Sequence, residues 1–318
     1  MKFKDLFKLA VTLGVKTDPR SKKELEEILK KRKKDYDKME KDEKPYYDTD
    51  LFDNPFEDSR ILHANSLNDD VKTILAGIDM EAPEIMLAKE LSRHGEKIDL
   101  VLAHHPEGKA LLGLGDVMHM QDAIMESCGV PINVAEKLMG TRSSEIRRSV
   151  HPVNYLRPVD AAKLLKVNYA CTHTITDNMV FEFIKKAVAH KKFHTVNDVV
   201  KYLMTLPEYQ MASKGGNPPM VVVGSKEARA GKVYPTEFTG GTSGSEQIYE
   251  KLAQAGIGTL IVMHMQEKHR VEAEKHHLNV IMAGHMASDS LGMNLLLDQL
   301  EKKKIKVIPY GMLRVKRR

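Results

Sequence analysis

The segment KTILAGIDMEAPEIMLAKELSRHGEKIDLVLAHH, residues 72–105, decides the fold class. Its apolar runs at 72–79 and 98–105 flank a helical pattern that starts at APE and ends in RHG. Strands that are apolar on both faces and separated by a helix are typical of a parallel sheet covered on both sides. This segment therefore predicts a strand–helix–strand unit of an α/β protein.

The same alternation continues along the chain. Further strand candidates lie at 130–136, 168–173, 219–225, 258–264, 278–285 and 305–311. Several of the amphipathic segments between them end at Gly or in a Lys cluster, as helices tend to. This number of strands favours two sheets rather than one, so we predict a first α/β unit over 66–190 and a second over 191–318.

Residues 1–65 differ from the rest in composition. The stretch DPRSKKELEEILKKRKKDYDKMEKDEK is highly charged and favours a helix, with one short apolar stripe that begins at Leu25. We predict a protruding, charged helical extension followed by an irregular loop. A solvated or oligomer-contacting helix is favoured over a nucleic-acid arm, because acidic residues are interspersed among the basic ones.

Composition narrows the class of protein. The chain has 318 residues, of which 42% are hydrophobic and 29% are charged, a composition typical of globular proteins. Its net charge of +5 argues against a dedicated nucleic-acid binder. Two cysteines are too few for a disulfide framework. The basic tail RVKRR at 314–318 is interpreted as a solvated terminus. The sequence has neither a secretion signal nor an apolar run long enough to span a bilayer, which predicts a soluble cytoplasmic protein with no membrane partner.

Polar side chains follow the predicted strands, at the edge where open α/β sheets bind ligands. The residues in question are Asp79, His104, His105, His173, His264 and His285. In a regular strand His104 and His105 would point to opposite faces. Pro106 stops the strand, which allows both imidazoles to converge at the sheet edge.

Two of these histidines stand four residues before an aspartate, in HTITD at 173–177 and HMASD at 285–289. If the second segment is helical, its His and Asp share a face. Helix capping is the alternative for both segments. Asp177 would then cap a helix that opens near residue 178, and Ser288 would cap the later helix.

Together these segments suggest a metal site. Imidazole and carboxylate are ligands for divalent transition metals such as Zn, Mn, Fe or Co. The candidate side chains are His104, His105, His173, Asp177, His285 and Asp289, five or six possible ligands. They exceed what one zinc ion needs, which suggests two metals of the kind used in hydrolysis. The alternative, in which these are ordinary core or capping residues and no metal binds, stays open.

A glycine-rich turn, TGGTSGSEQ at 239–247, is a candidate anion site. The residues are Gly240, Gly241, Thr242, Ser243 and Gly244. Backbone N–H groups of small residues that open a helix can bind a phosphate. A tight strand-to-helix turn is the alternative.

The double His, the HxxxD segment, the glycine turn and the late Gly-His motif resemble, in the same order, those of the Nif-three-like family of dinuclear metal proteins. The resemblance covers roughly residues 70–318. It implies two intertwined α/β/α units with largely parallel sheets, a ring-shaped and often hexameric homo-oligomer, and two divalent metal ions in the cleft. The implied ligands are His104, His105, Asp177, His285 and Asp289, with His173 nearby. The family usually has a metal-bridging Glu at the last position, where this chain has Asp289.

Two functions compete at this point. The first is a metal-dependent hydrolase that acts on a small substrate, such as a nucleotide or another phosphate-containing compound, with His173 or His264 as a proton shuttle. Some members of the family are named as relatives of a GTP cyclohydrolase. The second is a non-catalytic metal-binding or interaction protein in which the metals are structural or regulatory.

Overall fold

The computed structural model describes residues 1–317. Within them the strands are β1 Ile61–His63, β2 Thr73–Gly77, β3 Leu100–Ala103, β4 Tyr169–Cys171, β5 Met220–Val223, β6 Lys232–Pro235, β7 Ile257–Val262, β8 Asn279–Met282 and β9 Lys306–Pro309. They form one sheet in the order β1-β4-β3-β2-β9 and another in the order β5-β8-β7-β6. Both sheets are parallel apart from the β1–β4 and β5–β8 pairs. The predicted α/β class with two largely parallel sheets is confirmed.

Helices cover both sheets. They are α1 Phe3–Lys16, α2 Lys22–Lys38, α3 Ala82–Arg93, α4 Lys109–Leu112, α5 Met120–Cys128, α6 Ile132–Val150, α7 Arg157–Leu165, α8 His173–Ala189, α9 Val196–Leu203, α10 Pro207–Lys214, α11 Ile248–Gln254, α12 Glu267–Lys275 and α13 His285–Glu301. None of the helices in residues 1–317 combines the length and apolar character that crossing a membrane requires.

β2, α3 and β3 form the strand–helix–strand unit that residues 72–105 predict. All of β3 is buried, and it pairs with β2 in parallel register, from Ile74 opposite Leu100 to Gly77 opposite Ala103. An apolar run buried on both faces is what a central parallel strand requires. Because β2 and β3 end at the same level, the residues that follow them emerge at one edge of the sheet.

The last strand returns to the first sheet. β9 lies parallel to β2, with Thr73 opposite Lys306, so this sheet combines early and late segments of the chain. The preceding helix, α13, contributes Leu291 to the core beneath one sheet and Leu297 to the core beneath the other. The two units are therefore intertwined, and α13 lies between them.

Helices α8 and α13 pack backbone to backbone. A Cβ atom added at Gly292 would lie 2.4 Å from the carbonyl oxygen of Thr176, so only glycine allows this approach. The crossing holds the first turns of both helices side by side. Those first turns carry the two His-x-x-x-Asp segments.

The strand predicted at 130–136 is wrong, because this stretch starts helix α6. Pro131 precedes the first helical residue, and Ala135, Met139 and Ile146 lie on the buried face of the helix. A short apolar run does not distinguish a strand from one side of a helix. The helical spacing becomes visible only when the window extends well past residue 136.

The charged helix predicted in the N-terminal segment is α2, but the helix before it, α1, belongs to the core. Phe3, Leu6 and Ala10 of α1 are fully buried in the core under the first sheet, although α2 buries only Leu25. The charged helix is therefore an outer layer on a segment that belongs to the core. The boundaries proposed at residues 65 and 190 stay a prediction.

The basic tail is not a solvated terminus over its described part. The Arg317 guanidinium makes two 2.5 Å hydrogen bonds to the carboxylate of Glu208, which is fully buried in α10. Arg314 pairs with Asp298 of α13 at 2.7 Å. Arg318 lies outside the described residues. Buried carboxylates need such partners, which explains why arginines occupy these positions.

Candidate metal centre

The residues that follow β3 and the first turns of α8 and α13 meet at the carboxyl edge of the first sheet. His104 and His105 directly follow β3, while His173 and His285 are the first residues of α8 and α13. Asp177 and Asp289 are one turn further along their helices, on the same face as the histidines. The helices do not start near residues 178 and 288, as the capping alternative requires. The His-x-x-x-Asp segments are already helical, and Ser288 bonds the Gly284 carbonyl inside its helix instead of capping it.

His104 is buried, with one nitrogen fixed and the other free. The hydroxyl of Thr176 donates to the Thr172 carbonyl at 2.7 Å, so it accepts a hydrogen bond from His104 Nδ1–H at 2.8 Å. This arrangement leaves the lone pair on His104 Nε2, which lies 3.5 Å from Asp177 and 3.6 Å from Asp289. Fixing the tautomer from the far side is typical of histidines that bind metals.

His105 is oriented in the same way by a different partner. Its Nδ1 lies 2.6 Å from Asp79, and its Nε2 lies 3.4 Å from Asp289. Burial lowers the pKa of His105, but its contacts with Asp289 and Asp79 outweigh that effect and raise the pKa to about 9. The imidazoles of His104 and His105 therefore converge on Asp289, as expected if the strand ends at Pro106.

The two aspartates are buried at the centre of this cluster. Burial, and then the neighbouring charge of Asp289, hold the pKa of Asp177 well above its ordinary value. Burial raises the pKa of Asp289 as well, but the surrounding imidazoles, His104 first, outweigh that and lower it to about 2. Two carboxylates this close disfavour each other's charge, and one of them stays ionised because the histidines surround it.

His285 and His264 lie on the open side of the cluster. His285 Nε2 is 3.2 Å from Asp289, and its ring stacks on that of His105 at 5.2 Å between centroids. Burial lowers the pKa of His285. The ring of His264 is 5.1 Å from that of His285, and its Nδ1 lies 3.3 Å from the Ser243 hydroxyl.

The donor atoms suit divalent metal ions. Three overlapping groups place their ligand atoms within 4.8 Å of one another: His104, His105 and His173; His105, His285 and Asp289; His104, Asp177 and Asp289. Within residues 1–317, His104 Nε2, Asp177 Oδ1 and both carboxylate oxygens of Asp289 are buried without a hydrogen-bond partner. Orphaned acceptors of this kind are costly unless a cation satisfies them. These groups could hold metal ions.

His173 is held by a residue that sequence reasoning missed. Asp58, in the loop before β1, is fully buried and accepts from His173 Nδ1 at 2.6 Å and from the Thr174 hydroxyl at 2.7 Å. His173 Nε2 then faces Asp177 at 3.6 Å. Asp58 lies 115 positions before its partner and belongs to no motif, so the sequence alone does not identify it as a site residue.

The glycine turn borders the same site. A cavity of about 20 Å³, room for roughly one water molecule, is lined by Gly241 and Thr242 together with Glu237 and the ligand candidates of α8 and α13. The prediction that this turn opens a helix is wrong, because α11 begins only at Ile248. The carbonyls of Gly240 and Thr242 accept from the Gln121 amide, which fixes the turn. Anion binding at 240–244 stays a prediction.

Solved structures share this fold. A NIF3 superfamily protein from Sphaerobacter thermophilus matches with a TM-score of 0.70 and 26% identity, over 81% of this chain and 92% of its own. Reduced HcgD from Methanocaldococcus jannaschii matches with a TM-score of 0.50 and 12% identity, over 80% of this chain and 89% of its own, a likeness of fold alone. No family profile and no curated protein matches the sequence.

Proposed function

We propose that the chain is a NIF3-like protein, as its motifs predict and the Sphaerobacter thermophilus structure supports, and that it is a dinuclear, divalent-metal-dependent hydrolase. The observation that carries the proposal is the set of buried ligand atoms that lack partners among the described residues, above all both oxygens of Asp289. The neighbouring imidazoles keep Asp289 ionised, and cations bound there would occupy the acceptor positions that no hydrogen bond among the described residues fills.

The proposed ligands are His104, His105, Asp177, His285 and Asp289. Asp289 would be the carboxylate available to both ions, because its two oxygens face different partners. Oδ1 faces His104, whereas Oδ2 faces His105 and His285. The shorter aspartate thus stands where the family usually has a bridging glutamate. Zn, Mn, Fe and Co all suit a nitrogen and oxygen ligand set.

A pair of ions bound there would activate water and stabilise negative charge on a substrate. The chain's own residues supply the rest. His173, which Asp58 orients, and His264, beside Ser243, are proposed to carry protons at the cavity. The glycine turn at 240–244 is proposed to hold a phosphate of a small substrate such as a nucleotide. We propose a homo-oligomer, a hexameric ring by resemblance.

Elemental analysis of protein purified without chelator tests the metal site, with two divalent ions per chain as the expected result. Metal-loaded protein would then be assayed on nucleotides, phosphodiesters and cyclic amides. D177N is the decisive variant, and E182Q, which changes a half-exposed carboxylate on the same helix, is its control. Loss of activity in D177N with the fold and the oligomer intact supports the hydrolase. Unfolding or dissociation would assign the metals a structural role, and turnover of nothing by the wild type would sink the enzyme proposal.

A further inference from the structure

A second buried polar cluster adjoins the cavity and contributes nothing to the proposed ligand set. It comprises Glu237, which follows β6, Tyr249 of α11 and His269 of α12. These residues are 8%, 1% and 0% exposed. Three elements of the second unit therefore bury titratable side chains together, which is uncommon without a functional reason.

The hydrogen bonds of this cluster form a chain in which each side chain donates to the next. Glu237 Oε1 accepts from the Gly244 backbone N–H at 3.3 Å and from the Tyr249 hydroxyl at 3.2 Å. Since the only hydroxyl hydrogen of Tyr249 goes to Glu237, its oxygen accepts from His269 Nδ1–H, 3.2 Å away. His269 thus donates to Tyr249, which donates to Glu237, and Oε1 is held on one side.

The other carboxylate oxygen is free. Glu237 Oε2 is buried and has no hydrogen-bond partner in the described part of the chain. Glu237 also lines the cavity, together with His173, Asp177 and His264. Its backbone has a φ of 55°, the left-handed region, which is strained for a residue that carries a side chain. The fold bears both costs to keep a carboxylate at this position.

We propose that Glu237 is a general base of this site, an inference that rests on the proposed hydrolase function. Oε2 accepts a proton from a water molecule or substrate hydroxyl in the cavity. The O–H bond of that molecule breaks, its electron pair stays on its oxygen, and the carboxylate becomes a carboxylic acid. Glu237 later returns the proton to the leaving group. Tyr249 and His269 are positioning residues that hold Oε1, so that Oε2 is left for the substrate side.

Infrared difference spectra between metal-free and Zn²⁺-loaded full-length protein test this assignment directly. We expect the wild type to gain a protonated-carboxyl C=O band on loading and E237Q to lack that band. Y249F should keep the band at a shifted frequency, because Oε1 has lost a donor. E250Q, which changes an exposed neighbour on α11, should match the wild type.

The Zn²⁺ affinity of E237Q should stay within about threefold of wild type. A larger loss would make Glu237 a metal ligand and overturn its role as a base. A band that persists in E237Q, or that never appears in the wild type, would also overturn it. If E237Q does not fold, Y249F provides the test. A protonated-carboxyl C=O band at the wild-type frequency in Y249F would then contradict the proposal. Failure of the wild type to bind Zn²⁺ would instead refute the proposed function itself.

Discussion

The hydrogen bonds behind each imidazole decide which nitrogen faces the carboxylates. Nδ1 is tied to Thr176, Asp79 and Asp58 in His104, His105 and His173, respectively. In each case Nε2 is the nitrogen that faces Asp177 or Asp289. The three partners come from different segments, so the orientation of the site depends on residues well outside the motifs that reveal it.

His173 is outside the proposed ligand set, but one of its nitrogens lies within 4.8 Å of those of His104 and His105, so we expect D58N to weaken metal binding and any activity, by at most the roughly 10- to 100-fold typical for the partner of a metal-ligating histidine. Asparagine keeps the shape but removes the charge that orients His173. Calorimetric titration with Zn²⁺ measures the effect. D53N, on an exposed carboxylate of the same loop, is the control and should bind like the wild type. Equal affinities for the two variants would contradict the role of Asp58.

Metal affinity should rise with pH. The pKa of His105 is raised to about 9, so below that pH a proton must leave before Nε2 can bind a metal. We expect up to about a tenfold gain per pH unit as the pH approaches 9. Dissociation constants for Co²⁺ at a series of pH values check this, and a flat profile from pH 6 to 9 would refute it.

The metal-free protein should show the opposite trend. Because the folded-state pKa of His105 lies above its ordinary value of 6.5, protonation favours the folded state. That stabilisation is complete below pH 6.5 and is lost as the pH rises through about 9. Unfolding curves in urea with a chelator present measure it, and stability that increases over this interval would count against the His105 contacts.

How much of the site was predictable differs by residue. His104, His105 and the two His-x-x-x-Asp segments were visible because they follow strand patterns and share a spacing. Asp79 was visible at a strand end but had no assigned role. Asp58 and Glu237 were not visible, because the first lies in an irregular loop and the second is set apart by its backbone conformation and burial, which no spacing reveals.

At the level of elements, the site depends on where two helices begin. Capping rules place both starts several residues too late, because they weigh side chains such as Ser288 and not the strand that precedes. α8 begins one residue beyond Thr172, and α13 begins after Gly284, whose φ of 107° turns the chain out of β8. Nothing among the described residues approaches a Cβ added at Gly284, so its role is this turn and not close packing.

We expect G292A to separate α8 from α13 and to destabilise the protein by about 1–3 kcal/mol, the range for overpacked cores. The added methyl would press on the Thr176 carbonyl, and metal affinity should fall with it. Chemical unfolding measures the first effect and metal titration the second.

G140A is the matched control for that change. Gly140 lies inside α6, and no described residue comes within 4 Å of a Cβ added there. Alanine should therefore be neutral or stabilising by up to about 1 kcal/mol. Similar losses in both variants would show that the close approach of α8 and α13 is not the cause.

On the scale of the whole molecule, the tail ties the second unit together. Among residues 1–317, removing the Arg317 side chain would leave the buried carboxylate of Glu208 with the Asn294 amide as its remaining side-chain donor. We expect R317A to cost about 2–3 kcal/mol of unfolding free energy. K316A, on an exposed neighbour, should cost little. Thermal and urea unfolding of the two variants test this, and equal stabilities would contradict it.

The alternation of strand and helix patterns predicts the fold class, but the residues alone do not predict that the two units are intertwined. Pairing of β9 with β2 joins positions more than 200 residues apart, a relation that local pattern does not encode. The resemblance to a family supplied the intertwining instead. Burial of α1 was missed because the charge of α2 dominates the composition of that region.

The return of β9 has a consequence for biosynthesis. Until residues 306–309 leave the ribosome, β2 has an open flank, because its neighbour on that side, β9, follows it by more than 200 residues. His285 and Asp289 are also made long after His104 and His105, so a nascent chain cannot complete the candidate metal centre before α13 has been synthesised. An unfilled flank in a half-made protein invites wrong pairing, which makes this the stage at which a chaperone would matter most.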